Sequence, residues 1–221
     1  MKLKSFKEFT NEAIITPVDT DEIIAEVKSL NHIDSLDDIN KDLLKFNIHF
    51  SFYDEFFDSL ESQEEKNVAP PKILYCSPAI KFALYNKYIN KINFVVSDNF
   101  IDLFNRRRLT NENFYNILSE MIKHESIHSK QVGKMGIEHY HLIDSPENPD
   151  QYFSNRSEIM AYANSFVTEM MEEYKSKEKI INLLRSQKYI RNWIFDCYKK
   201  HVDQKDFHRF IKYVYLYLQE L

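Results

Sequence analysis

Apolar and polar positions along this chain alternate with two periods, and both predict elements. The clearest is the 3–4 spacing of Phe114, Ile117, Leu118, Met121, Ile122 and Ile127, which predicts a long helix over 111–132 with Thr110 or Asn111 as its cap. Gly133 and Gly136 follow and are expected to end it in left-handed conformations. A second strong helix is predicted over 155–174 from Ile159, Met160, Tyr162, Ala163, Phe166, Val167 and Met170. Weaker periodicity predicts helices at 20–27, 33–48, 51–60 and 78–90, and two aromatic helices at 180–198 and 206–221. Period-2, β-branched runs predict strands at 72–76 and, most strongly, at Ile92–Val96. Residues 61–71, ending in Pro70-Pro71, read as a linker, and 137–151 as a loop with Pro146 and Pro149. The expected fold class is α+β and mostly helical, with a small sheet packed against the helix at 111–132.

Composition narrows the chemistry. The 221 residues carry only two glycines, which excludes glycine-rich phosphate loops and dinucleotide fingerprints. Net charge is −5, so no nucleic-acid partner held by a basic face is expected, and Arg106-Arg107-Arg108 reads as a solvated run. No apolar stretch is long enough for a membrane span, and residues 1–10 lack the uninterrupted apolar core of a secretory signal. Cys76 and Cys197 form no metal-ligand pair and no disulfide framework, which suits a reducing, cytoplasmic setting.

One motif carries chemistry. His124-Glu125-Ser126-Ile127-His128 is H-E-x-x-H inside the strongest predicted helix. Histidines four apart lie on one helix face, so both imidazoles can reach a single ion. Glu125, about 100° further round the helix, falls beside such an ion, within reach of a water. The composition predicts roughly 0.02 such motifs by chance. A bland alternative is a pair of histidines on an amphipathic surface.

A catalytic zinc site needs a third protein ligand and an open position. His139, His141, Asp144, Glu147 and Glu158 lie downstream. Gln131 and Lys134 stand where a metzincin would have a glycine and a third histidine. Glu158, on the second strong helix, is the preferred third ligand, with His141 next. The bland alternative for Glu158 is an exposed first-turn acid favoured by the helix dipole. Tyr162, four residues after Glu158, is either core or an oxyanion donor, a role also open to His139 and His141.

The pair His124–His128 and Ser157-Glu158-Ile159-Met160-Ala161-Tyr162-Ala163 resembles the gluzincins, the thermolysin-like zinc peptidases. With Gln131 after the motif, it is also similar to small phage metallopeptidase-like proteins. The resemblance spans about residues 92–170. It implies a zincin-like fold and one Zn²⁺ held by His124, His128 and Glu158. It further implies Glu125 as general base and a peptide or protein substrate extended along the edge of strand Ile92–Val96. Tyr162 departs from the gluzincin pattern, which has an acidic residue there.

The start Met1-Lys-Leu-Lys-Ser-Phe-Lys-Glu-Phe, with Asn11-Glu12-Ala13, resembles head-targeting peptides of T4-related phages. Ile24-Ala25-Glu26 matches the prohead-protease cleavage pattern of that group. This implies a targeting or propeptide segment at 1–26, a helical part at 27–70 and a zincin-like domain at 71–221. It also implies packaging in a virion among head proteins. The alternative function it suggests is a non-enzymatic head-associated or internal virion protein with a structural or vestigial metal site.

Overall fold

The computed structural model describes residues 19–58, 79–86, 90–106, 112–135, 149–186 and 190–221. These residues are mostly helical around one small sheet, so the α+β expectation holds. The described residues divide into two compact units, one within 19–152 and one of 153–221.

In the first unit, α1 (Asp21–Ser29) and α2 (Leu36–Leu43) precede a short 3-10 turn, Leu44–Phe46. Ser35 and Asp38 form a capping box on α2, which satisfies amides left over at the helix start. Strand β1 (Ile48–Phe52) and helix α3 (Tyr53–Asp58) follow, then β2 (Ile80–Asn86), β3 (Lys91–Val96), α4 (Phe100–Asn105) and α5 (Glu112–Met135). The sheet order is β1-β3-β2, with β1 parallel and β2 antiparallel to β3. Its core is aromatic: Phe50 stacks on Phe94 with centroids 4.9 Å apart, and Phe100 abuts Phe50.

Two asparagines brace backbone here. The Asn40 carboxamide accepts from Phe50 N–H at 2.6 Å and donates to Phe50 C=O at 2.8 Å. It therefore pairs the outer side of β1 as a neighbouring strand would. Asn105 does the same to Ile33, at 2.9 and 2.7 Å. Helix α5 packs on β2, β3 and α1, burying Phe114, Tyr115, Leu118, Ile122, Ile127 and Val132. Thr20, at the start of α1, bonds through its hydroxyl to Ser119 of α5 at 2.7 Å.

A short helix α6 (Pro149–Ser154) leads to α7 (Arg156–Tyr174), α8 (Lys177–Ser186), α9 (Trp193–His201) and α10 (Gln204–Glu220). Asn155, Asn192 and Asp203 cap α7, α9 and α10 by accepting amide hydrogen bonds. Residues 157–167 of α7 are buried all round, with α8, α9 and α10 against it. The aromatic filling joins Phe166 to Phe210 and stacks Tyr198 on Phe210 at 4.2 Å.

Several expectations are corrected. Residues 80–86 form a strand, not part of a helix over 78–90; burial alternates on either side of Phe82-Ala83, where the phase slips beside a register shift in the pairing with β3. Residues 48–52 are a strand, so the helices expected at 33–48 and 51–60 shrink to α2 and α3. Strand Ile92–Val96 is flanked on both sides and offers no edge; its ladder groups are taken by β1 and β2. Gly133 lies within the last turn of α5 and does not end it, with nothing near its Cα that would exclude a side chain. The tail forms three helices rather than two, because Asn192 starts a new one. The strand at 72–76, the linker at 61–71, Cys76, Gly136 and residues 1–18 lie outside the described residues.

Candidate metal centre

Helix α5 buries its motif. His124 is 9% exposed, Glu125 8% and His128 3%, beside buried Ser126 and Ile127. Three titratable groups in one buried helical turn are costly unless each is partnered, so the partners define the site. The i,i+4 spacing brings the two imidazoles together: Nε2 of His124 and Nε2 of His128 are 3.2 Å apart, with the rings inclined at 75°. The opposite nitrogen of His128, Nδ1, lies 3.0 Å from Oε1 of Gln131, one turn further along the helix.

Glu125 points to the sheet. Its Oε2 accepts a 2.8 Å hydrogen bond from the backbone N–H of Tyr85 in β2. That amide faces away from β3, because β2 is an outer strand of the described sheet. The Tyr85 hydroxyl donates to Asn90 Oδ1 at 2.9 Å, and Asn90 holds a left-handed conformation just before β3 (φ 57° is seen at Asn47, φ 52° here). The turn side chain thus anchors the same residue whose amide holds the carboxylate.

Glu158 lies in the first turn of α7 and is 7% exposed, which removes the surface-acid alternative. Its charge, after burial itself, helps push the phenol of fully buried Tyr198 well above the ordinary tyrosine value. Tyr162 sits among Phe153, Trp193 and Tyr198 with centroids 5.5–6.0 Å apart, so it fills core. Nearby, Glu169 accepts from Asn192 and Trp193, and burial raises its carboxyl above the ordinary range. Ligand atoms of His124, His128 and Glu158 all lie within 4.8 Å of one another, a grouping able to hold a metal ion. Burial of both histidines disposes of the surface-pair alternative. His139, His141, Asp144 and Glu147 lie outside the described residues.

Two contacts escaped sequence reasoning. The Gln131 contact had a signal, since residues three apart share a helix face. The Tyr85 amide had none, because it depends on which strand lies outermost. No protein family, no curated protein and no solved structure matches this chain.

Proposed function

We propose that this chain is a zinc-dependent peptidase. The observation that carries the reading is the convergence of His124, His128 and Glu158 ligand atoms within 4.8 Å, beside a carboxylate held on the adjoining helical position. Two imidazoles and one carboxylate are a donor set that suits zinc and leaves a coordination position for water. When bound, zinc would supply Lewis acidity and bring a water's pKa toward about 7.

The chain's own groups do the rest. Glu125 takes the proton of the attacking water and returns it to the departing amine, because it is the buried carboxylate that is not in the ligand group. The Tyr85 amide holds one oxygen of Glu125, Oε2, so the carboxylate is restrained while its other oxygen is left to serve as the base. Burial excludes bulk water from the reacting atoms and strengthens each of these interactions. The likeness of residues 1–26 to head-targeting peptides supports a second reading, a virion protein whose metal is structural.

Elemental analysis and hydrolysis of a mixed peptide library test both. Wild type is expected to hold about one zinc per chain. Glu125→Gln is expected to keep the metal and lose about 10²–10⁴-fold in turnover, while Glu158→Ala loses the metal. Tight zinc with no hydrolysis in wild type would favour the structural reading, and absence of bound metal would overturn the peptidase and the structural metal, leaving a virion protein with a vestigial site.

A further inference from the structure

We infer that Gln131 is a positioning residue for the metal centre, holding the proton of His128 on Nδ1 so that the Nε2 lone pair is presented to a cation. This rests on the metal reading above and adds a residue to it. An amide oxygen can only accept a hydrogen bond. At 3.0 Å from Gln131 Oε1, Nδ1 of His128 must therefore be the donor, and a neutral ring then has its lone pair on Nε2.

That lone pair lies on the side where the other imidazole is found, since the two Nε2 atoms are 3.2 Å apart. His128 is thus pre-set to ligate through Nε2, on the side where His124 lies.

The contact is intrahelical, three residues apart, and both partners are buried, with Gln131 only 1% exposed. Water therefore does not compete for the bond. Outer partners of ligating histidines are commonly carboxylates or backbone carbonyls. Here a neutral carboxamide does the orienting without subtracting charge from the cation. It stands in a chain that has Tyr162, not an acid, four residues after Glu158.

The test has two arms on full-length protein. In metal-free protein with labelled histidine, at about pH 8, above the ordinary histidine range, long-range nitrogen NMR reads the tautomer. His128 is expected to be protonated on Nδ1 in wild type and to shift toward Nε2 protonation in Gln131→Met. Zinc competition against a chromophoric chelator is expected to show a roughly 10–100-fold weaker Kd for Gln131→Met, with Gln131→Glu, which keeps an acceptor, restoring tight binding. Nε2 protonation of wild-type His128 overturns the inference, and needs no variant to fold. So does equal zinc affinity of wild type and Gln131→Met with an unchanged tautomer, which leaves the metal reading standing. Failure of wild type to bind zinc while His128 still carries its proton on Nδ1 overturns the metal reading and the positioning role, but leaves the tautomer assignment.

Discussion

Replacing Glu125 in two ways separates its structural contact from its chemical one. Its carboxylate accepts from Tyr85 N–H at 2.8 Å in a buried setting. Glutamine retains an acceptor oxygen at the same reach. A hydrogen bond to a charged group is worth about 1.5–3 kcal/mol and a neutral one about 0.5–1.5, so Glu125→Gln is expected to cost about 1 kcal/mol or less. Alanine takes the acceptor away. The buried amide then bears its desolvation penalty of about 1–3 kcal/mol, against which alanine's helix propensity returns only a few tenths. Metal-free Glu125→Ala is therefore expected to melt lower than metal-free Glu125→Gln. The conversion is roughly 2–4 °C per kcal/mol for a domain of this size. Amide exchange localises the effect: the Tyr85 N–H should lose protection in the alanine variant, while Leu84 N–H, alternating toward β3, should not. Equal melting of the two variants, with Tyr85 protected alike in both, would refute the claim that this bond fixes the carboxylate.

Two further outcomes follow from the first unit. Asn40→Ala should destabilise by about 2–4 kcal/mol, since it strips partners from both the N–H and the C=O of buried Phe50; urea unfolding measures it, and a change near zero would show that water replaces the carboxamide. Asp38, held below its ordinary 3.8 by backbone hydrogen bonds from Ser35 and Asp34, stabilises the fold in its ionised form. A depressed carboxyl contributes above its unfolded value and loses that contribution as pH falls through the folded one, so the urea midpoint gap between wild type and Asp38→Ala should be present at about pH 6 and narrow steadily as pH falls below the ordinary carboxyl range.

Much of the fold and site was legible in the chain because the signals were local. The apolar stripe from Phe114 to Ile127 and the run from Ile159 to Met170 gave α5 and α7 within a few residues. The spacing of His124 and His128 gave their convergence, since helical geometry fixes it. Non-local facts were not legible. Strand β2 mixes helix-favouring Lys81, Ala83 and Leu84 into its run, and only pairing with β3 makes it a strand. The β1-β3-β2 order joins β1 to β3 in parallel across about 40 intervening residues, so nothing near Ile92–Val96 could reveal that it lies in the middle. Asn192 did mark the start of α9 by its residue type, a cap signal overlooked within an aromatic run.

The grip on Glu125 comes from a peptide group and not from a side chain. Any amino acid but proline supplies that group, so substitution at position 85 leaves it intact as long as the strand keeps its phase. A slip of one residue would turn the amide inward and release the carboxylate with no mutation in the motif at all. The safeguard on this carboxylate is thus the pairing of β2 with β3, written in the ladder rather than in the letters.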